Sequence, residues 1–160
     1  MESFLDNSDE YWMARALEMA ERAKYLGEIP VGAVITLDNR LIAEAHNEKE
    51  QNSDATAHAE VLVIQRASKE LGRWRLKDCT MYVTLEPCLM CLGAVISARL
   101  DRLVYGALDK KAGAVESTYK FSETTHFNHY PKLTSGVLAD KSGLIIKEFF
   151  HELRNRKDLK

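Results

Sequence analysis

The stretch Met81-Tyr-Val-Thr-Leu-Glu-Pro-Cys-Leu-Met-Cys91 combines a strand, a break and the start of a helix. Residues 81–85 form a short apolar run of the kind that makes a buried strand. Pro87 suits the first position of a helix, where its missing N–H loses no hydrogen bond. We predict that this helix extends to about Ala98. A buried strand that passes directly into a helix is typical of an α/β fold.

The rest of the chain repeats this alternation of strands and helices. The predicted elements are a helix that Ser8 caps and Gly27 ends, strands at 31–36 and 40–45, a polar loop at 47–56, a helix at 57–71 that Gly72 ends, a strand at 103–107 and a closing helix at 144–155. Asp38-Asn39 is a turn signal, so the first two strands form an antiparallel hairpin. The pattern predicts an α/β sandwich around a mixed sheet and leaves residues 109–132 unassigned.

Length and composition limit the class of protein. The 160 residues, of which 46% are apolar, fit a single domain over residues 1–160, with a basic helix or tail from about residue 139. No apolar run approaches the roughly 18 residues that span a bilayer, and the acidic start Met-Glu-Ser-Phe-Leu-Asp differs from a signal peptide. We therefore expect no membrane partner and a cytoplasmic location.

The overall charge does not indicate a polyanionic partner, because the formal net charge is -2. Basic residues nevertheless gather in two places. One cluster lies between Arg66 and Lys77, and the other comprises Arg154, Arg156, Lys157 and Lys160. Either cluster can contact phosphate groups, and either can equally be an ordinary solvated surface.

The cysteines favour metal binding. An odd count of three in a reducing compartment suggests metal or catalysis before disulfides. Cys88 and Cys91 share a face at the start of a predicted helix, whose N-terminus lowers thiol pKa values. His58 opens another predicted helix and adds an imidazole. Two thiolates and one imidazole suit Zn²⁺ and leave its fourth tetrahedral position open, as in catalytic sites. Cys79 is expected to be an ordinary buried thiol.

Glu60 is the candidate general acid/base. Zinc in an open site lowers the pKa of bound water to about 7, and such chemistry needs a group that moves protons. Glu60 and His58 stand at i and i+2, which face different directions on a regular helix, so they can meet only at the mouth of the helix. The order His58-Ala-Glu60 followed by Pro87-Cys-Leu-Met-Cys91 resembles the signature of zinc-dependent nucleobase deaminases.

A wider resemblance covers nearly the whole chain. It is carried by Glu10-Tyr-Trp-Met13, Glu28-Ile-Pro-Val-Gly-Ala-Val34, Thr56-Ala-His-Ala-Glu60, Leu76, Tyr82-Val-Thr-Leu-Glu-Pro-Cys88 and Phe127-Asn-His129. These segments resemble the cytidine/deoxycytidylate deaminase superfamily and, within it, the bacterial tRNA adenosine deaminases. The resemblance implies a three-layer α/β/α sandwich around a five-stranded mixed sheet, one Zn²⁺ per subunit and a homodimer. It implies hydrolytic conversion of adenosine to inosine at the wobble position of a tRNA anticodon loop.

The same resemblance implies which residues contact the anticodon stem-loop. They are Asn47, Ala59, Pro30, Asp109, Lys111, Asn128, His129 and Phe149, the last paired with Phe150. Single-stranded loops offer splayed bases to pockets, amides and aromatic faces, which suits these residue types. Structural roles are alternatives for some of them. Phe149 and Phe150 fit the core face of an amphipathic helix, Asn128 fits a turn, and Asp109 fits a turn cap.

The chain departs from this family in one region. Ala114-Val-Glu-Ser117 replaces the usual Gly-Ser pair, and residues 118–126 lack the usual Leu-rich character. With the net charge of -2, this departure leaves open a deaminase of a free nucleobase or nucleoside, of the guanine or cytosine type. A non-enzymatic protein with structural zinc is a third hypothesis, although it would have little use for a carboxylate at Glu60.

Overall fold

The computed structural model describes residues 8–158, with side chains to residue 157; residues 1–7 and 159–160, and with them Lys160 of the basic tail, lie outside the described residues. The strands are β1 (Gly32–Leu37), β2 (Arg40–His46), β3 (Cys79–Leu85), β4 (Arg102–Ala107) and β5 (Lys132–Thr134). They form one sheet in the order β2-β1-β3-β4-β5. β1 is antiparallel to β2 and β3, whereas β3, β4 and β5 are parallel, so the sheet is mixed as predicted.

Helices cover both faces of this sheet. They are α1 (Asp9–Tyr25), the short α2 (Lys49–Asn52), α3 (Ala59–Leu71), α4 (Leu89–Ser97) and α5 (Ala139–Asp158). On one face, α3 and α4 pack through Val63 and Val95 into the larger apolar core, in which Cys79 is fully buried as predicted. On the other face, α1 packs through Trp12 and Met13, with α5 beside it against β4. The predicted α/β/α sandwich is confirmed.

A glycine lets the first helix lie close to the sheet. A Cβ atom on Gly32 of β1 would fall 2.0 Å from the carbonyl oxygen of Ala16 and 2.6 Å from the amide nitrogen of Ala20. Both distances are far inside van der Waals contact, so only glycine fits at this position. The small residues of α1 and the missing side chain of Gly32 therefore set the spacing between helix and sheet. In the described part of the chain, no helix combines the length and apolarity needed to cross a membrane.

Three helices begin at residues other than those predicted. α3 begins at Ala59 rather than at residue 57, and the predicted loop at 47–56 contains the short α2. The prediction that Pro87 opens a helix is wrong, because α4 begins at Leu89 with Cys88 as its N-cap. The Pro87 carbonyl instead accepts a hydrogen bond from the amide of Ala114, so Pro87 belongs to a loop contact. The closing helix begins at Ala139, which agrees with the basic helix or tail predicted from about residue 139 but not with the helical period recognised from residue 144; the buried Ser142 shows that packing overrides weak helix propensity there.

The unassigned segment between β4 and β5 folds around an aromatic cluster. It contains a 3-10 turn, Phe121–Glu123, and its aromatic rings pack together. Phe121 is fully buried, stacks on Tyr130 at a centroid distance of 4.9 Å and meets Phe127 edge-on at 5.3 Å. This cluster attaches the segment to the core on the α3 and α4 face.

An ion pair joins the start of α1 to the sheet. Asp9 accepts hydrogen bonds from Nη1 and Nη2 of Arg102 at 2.7 and 2.6 Å, and the Tyr82 hydroxyl donates to Asp9 at 3.0 Å. The hydrogen bonds from Arg102 hold the pKa of Asp9 below its usual value, although partial burial opposes them. Because the contact is bidentate, it is stronger than a single surface ion pair.

Asp9→Asn is expected to lower the free energy of unfolding at neutral pH by about 1–2 kcal/mol, since both partners stay partly exposed. The folded-state pKa of Asp9 is depressed, so this stabilisation is complete above the unfolded pKa of about 3.9 and is lost as the pH falls through the folded value. Urea denaturation over a pH series should show the difference between the two proteins shrinking in acid. Glu10→Gln, an exposed change in the same turn, is the control; a deficit in Asp9→Asn that is independent of pH would contradict this explanation.

Candidate active site

The candidate site lies at the carboxyl ends of β3 and β4, where two helices begin. His58 is the N-cap of α3, Cys88 is the N-cap of α4, and both have extended backbone conformations. Cys91 lies in the first turn of α4 and is fully buried. The two helix N-termini converge, which brings His58 and Cys88 together although they are 30 residues apart in the chain.

These three side chains have the spacing of a tetrahedral zinc site. Nδ1 of His58 lies 3.4 Å from Sγ of Cys91 and 3.7 Å from Sγ of Cys88, and the three atoms are within 4.8 Å of one another. Zn–S and Zn–N bonds of about 2.3 and 2.0 Å at tetrahedral angles place nitrogen and sulfur about 3.5 Å apart. The donors therefore fit Zn²⁺. Among residues 8–158 this is the one group of three or more His, Cys, Asp or Glu side chains so arranged.

The two thiols of the group differ in acidity. A hydrogen bond from Cys91, together with His58, outweighs burial and lowers the pKa of Cys88 to about 4. The same hydrogen bond to Cys88, with burial, raises the pKa of Cys91. The hydrogen bond to Cys88 also raises the pKa of His58. One thiolate is thus formed in advance, and a metal ion that binds all three donors must release protons from the others.

Glu60 lies beside this group and is 4% exposed. Burial raises the pKa of the Glu60 carboxyl, and a hydrogen bond with Cys91 only partly offsets that rise. The N-cap conformation of His58, with φ -76° and ψ 150°, resolves the difficulty of the i, i+2 spacing. His58 stands outside the helix while Glu60 stands in the first turn, so both side chains reach the same mouth. A carboxyl with a raised pKa suits proton transfer near neutral pH.

A cavity of about 1170 Å³ opens over the group, lined by His58, Glu60 and Cys88 among others. This volume exceeds the roughly 300–1,000 Å³ of small-molecule pockets. Its further walls are the segment before β1, the loop of residues 108–112 after β4, and one face of α5. Five lysine or arginine side chains line the cavity: Lys49, Lys110, Lys111, Lys147 and Arg154. Four carboxylates also line it, Glu60, Glu86, Asp109 and Glu148, so the basic side chains exceed the acidic ones by one.

Four of the eight predicted contact residues line this cavity: Asn47, Ala59, Asp109 and Lys111. Asn47 is buried, and its amide is fixed by hydrogen bonds from the Lys49 amide at 3.2 Å and to the Ile29 carbonyl at 3.4 Å. Ala59 is the first residue of α3, so its N–H lacks an acceptor within the helix. Asn47 and Ala59 thus place amide groups next to the buried carboxyl.

Asp109 and Lys111 belong to one tight turn. Oδ1 of Asp109 accepts the amides of Lys111 and Ala112 at 3.1 and 3.2 Å, so the turn-capping role is present. The backbone amide of Asp109 donates to the carboxylate of Glu86. The turn at the cavity wall is therefore held from inside the protein.

Two other predicted contacts lie next to the cavity walls. Pro30 is buried between Ile29 and Val31, and these two neighbours line the cavity. Phe150 lines the cavity where Phe149 was predicted to do so. The α5 wall includes Phe150 and the next residue, His151, but not Phe149. Phe149 is half-buried and meets Phe150 edge-on at a centroid distance of 5.4 Å.

The predicted pair Asn128 and His129 lies away from the cavity. Nε2 of His129 donates to the carbonyl oxygen of Leu100 at 2.6 Å. Leu100 precedes β4, so His129 is at the amino end of the parallel strands, opposite to the edge that carries the site. Asn128 is exposed beside it. The structure therefore does not bring this pair to the zinc ligands.

Two buried carboxylates at the site were not found from the sequence. Glu86 is 2% exposed and accepts hydrogen bonds from residues 109–117. Glu28 is 1% exposed and accepts the amides of Glu50 and Gln51 at 3.2 and 2.7 Å, which holds α2 and the neighbouring Asn47 in place. The available signal was the presence of single acids directly before Pro87 and directly after Gly27, at the ends of apolar elements.

A second missed feature is the face that α5 presents to the cavity. Lys147, Phe150, His151 and Arg154 recur at three- and four-residue intervals and all line it. The sequence prediction included Arg154 in the basic tail and considered Phe150 only as the partner of Phe149. The helical spacing of these residues was the signal that could have found this face.

Comparison with known proteins identifies the class. The MafB19-like deaminase family matches residues 7–154. The chain is 44% identical over 149 residues to the tRNA-specific adenosine deaminase of Bacillus subtilis (strain 168), covering 93% of this chain and 92% of the relative. It is 45% identical over 152 residues to the tRNA-specific adenosine deaminase of Haemophilus influenzae (strain ATCC 51907 / DSM 11121 / KW20 / Rd), covering 94% and 88%. A solved structure from work on A-to-I editing by tRNA:A34 deaminases at the wobble position matches with TM-score 0.82 and 44% identity, over 84% of this chain and 98% of that chain.

The fold and the site together define a deaminase, and the chain belongs to the MafB19-like deaminase family. Within that family, its relatives at 44 and 45% identity are tRNA-specific adenosine deaminases. The resemblance identified in the sequence is therefore confirmed, as is the cytidine deaminase-like sandwich.

Proposed function

We propose that this deaminase uses one zinc ion to hydrolyse adenosine to inosine at the wobble position of a tRNA anticodon loop. The observation that carries the proposal is the His58, Cys88 and Cys91 group beside the buried Glu60, at the base of a cavity with basic walls. The tRNA-specific activity of the relatives supports the same substrate.

His58, Cys88 and Cys91 would hold the zinc ion, which when bound supplies a Lewis acid that makes water nucleophilic at neutral pH. Glu60 takes a proton from the water that attacks C6 of the adenine. It delivers that proton to N1, and it then moves the proton of the new C6 hydroxyl to the departing amine, so that ammonia leaves and the carbonyl of inosine forms. Because Glu60 is buried, bulk water is kept away from its carboxyl group. The carboxyl group therefore stays next to the reacting carbon.

The base is held by groups at the same helix mouth. The N–H of Ala59 binds the purine edge, and the fixed amide of Asn47 contacts the nucleoside. Asp109 and Lys111 line the path of the strand, and Pro30 supports the opposite wall from behind. Phe150 takes the stacking role first assigned to Phe149. Asn128 and His129 serve only an RNA that extends beyond the edge of the cavity.

A polynucleotide fits this cavity better than a free base. The target base must leave its stack to reach a buried centre, and its flanking phosphates then need positive charge at the rim. The five basic side chains of the walls provide that charge. The extra acid of the atypical loop, Glu116, hydrogen-bonds to the buried Tyr105. No contact of this loop favours the alternative of a free nucleobase substrate, and the buried Glu60 argues against a scaffold with structural zinc.

Assembly and location follow from the family. We propose a homodimer, which the resemblance implies, and a cytoplasmic location, which the tRNA-specific activity of the relatives supports. Sedimentation equilibrium should then give twice the chain mass of 18.2 kDa. A sedimenting species of the single-chain mass at micromolar concentration would contradict the dimer.

The zinc-loaded protein should form inosine in an anticodon stem-loop that carries adenosine at the wobble position. Mass spectrometry of nucleosides after digestion measures this directly. A panel of free nucleobases and nucleosides, assayed for ammonia under the same conditions, should react far more slowly. Rapid ammonia release from guanine or cytosine with an unreacted stem-loop would instead establish the free-base alternative.

Arg154→Ala is expected to weaken stem-loop binding and to reduce the slope of log K against log salt by about 0.7–1, because one phosphate contact is lost. Arg154 is chosen because it lies on the α5 wall of the cavity. Arg40→Ala, an exposed change at the start of β2 outside both basic clusters, is the matched control and should leave the slope unchanged. Fluorescence anisotropy at several salt concentrations measures both. An unchanged slope for Arg154→Ala would show that the tail is only a solvated surface.

A further inference from the structure

The carboxylate of Glu86 is the most heavily hydrogen-bonded acid at the site and has no part in the proposed chemistry. It follows β3 directly and lies two residues before Cys88. We propose that Glu86 is a positioning residue that fixes the loop of residues 109–117, and with it one wall of the substrate cavity, against the zinc-binding turn. This inference rests on the proposed function for its substrate but not for its structural part.

All the partners of the carboxylate come from this one loop. Oε2 accepts the amides of Val115, Glu116 and Ser117 at 3.1, 2.9 and 3.0 Å. Oε1 accepts the amide of Asp109 at 3.1 Å and the hydroxyl of Ser117. Five donors therefore converge on one side chain, and they span both ends of the loop.

The loop encloses this carboxylate closely. A Cβ atom on Gly113 would lie 2.3 Å from the carboxyl carbon of Glu86, so the loop can close only with glycine there. The backbone amides in this cradle therefore have a buried carboxyl group as acceptor instead of water.

The same loop is joined to the metal-binding turn by backbone contacts. The amide of Ala114 donates to the Pro87 carbonyl at 2.8 Å, and Gly113 forms a β-bridge with Cys88. The amide of Glu86 donates to the Ala107 carbonyl at 2.8 Å, which ties the turn to the end of β4. Residues 109–112 of the same loop line the cavity.

Glu86 thus has a role separable from metal binding. The zinc ligands are positioned by the starts of α3 and α4, whereas Asp109 and Lys111 are positioned by the loop that Glu86 holds. The backbone contacts of Pro87 and Cys88 with residues 113 and 114 do not use the carboxylate, so its loss should loosen residues 109–112 while the three ligands stay in place. The expected signature is weaker substrate binding with near-normal turnover at saturation.

Glu86→Gln is the test, because glutamine keeps the shape of the side chain but replaces one carboxylate oxygen with an NH₂ group. This NH₂ group faces backbone N–H donors of the loop and cannot accept their hydrogen bonds. With the stem-loop as substrate, KM should rise about tenfold or more while kcat changes much less, as expected for a displaced positioning loop. Zinc content should stay at the wild-type value. Without substrate, trypsin should cut after Lys110 or Lys111 faster than in the wild type, because the loop opens more often. Glu123→Gln, an exposed change after the same loop, is the matched control and should alter none of these quantities.

Ser117→Ala gives a second and milder variant, since it removes one donor and leaves the four amides. It should raise KM and trypsin cleavage as Glu86→Gln does, but to a smaller degree. If Glu86→Gln does not fold, Ser117→Ala alone tests the inference. Unchanged trypsin cleavage and unchanged KM in these variants would overturn the inference. Loss of zinc together with kcat at constant KM would also overturn it, because Glu86 would then act through the ligands. The trypsin result needs no substrate, so it is separate from failure of the proposed function, which would appear as absence of inosine with the wild type.

Discussion

Glu60→Gln is expected to lower kcat by about 10²–10⁴-fold, the contribution typical of a general acid/base. The carboxyl lies 4% exposed beside the metal ligands, and burial raises its pKa towards the range where it can both take and give a proton. Glutamine keeps the size of the side chain and removes this proton transfer. Since Glu60 is outside the ligand group, zinc content and the far-ultraviolet circular dichroism spectrum should equal those of the wild type.

A single-turnover assay with the anticodon stem-loop measures this loss, and metal analysis is done on the same samples. Glu70→Gln is the matched control, because Glu70 is an exposed carboxylate at the other end of the same helix. It should keep full activity. If Glu60→Gln retained wild-type turnover, or lost activity only because zinc was lost, the acid/base role of Glu60 would be wrong.

Cys91→Ala is expected to abolish zinc binding and, with it, inosine formation. Two remaining donors cannot hold the ion as three do, and the lost metal-binding free energy is also lost from folding. Cys91 further supplies the main hydrogen bond that lowers the pKa of Cys88 to about 4, so the second thiolate is weakened by the same change. Differential scanning fluorimetry should show a lower Tm than that of the zinc-loaded wild type.

Cys79→Ala is the matched control, since Cys79 is a fully buried cysteine outside the metal group. It should keep zinc and activity and lose only about 1 kcal/mol of packing free energy. A chelator should lower the Tm of the wild type and of Cys79→Ala, but it should not change the Tm of Cys91→Ala. Stoichiometric zinc in Cys91→Ala would refute the ligand assignment.

The metal group could be predicted from the sequence because its signals are local. His58 and the pair Cys88 and Cys91 each stand at a helix start, and each start follows a loop or strand end that the residue pattern reveals. Short-range spacing determines where such side chains point. The order of the two motifs then indicated a zinc-dependent deaminase. The distances between the three donor atoms in the structure fit such a zinc site.

Contacts that depend on long-range packing could not be predicted. Glu86 reaches residues 23–31 positions further along the chain, and Glu28 caps a helix more than 20 positions away. Nothing in the local pattern indicates such partners. The choice of Phe150 over Phe149 depends on the rotation of α5 against the sheet, which the sequence period gives only to within a residue.

The start of α5 shows the same limitation. Ser142 and Gly143 disfavour a helix by propensity, so the sequence prediction placed its start at residue 144. In the fold, Ser142 is buried near Gly106 of β4, and the packing of α5 on the sheet extends the helix back to Ala139. Tertiary packing decided what propensity alone could not.

X-ray absorption at the zinc edge of the purified wild-type protein tests the central claim most directly. We expect one zinc per chain with two sulfur ligands at about 2.3 Å, one imidazole nitrogen near 2.0 Å and one exchangeable oxygen. A protein that binds no zinc, or one whose zinc carries a fourth ligand from the protein and no exchangeable oxygen, would contradict it.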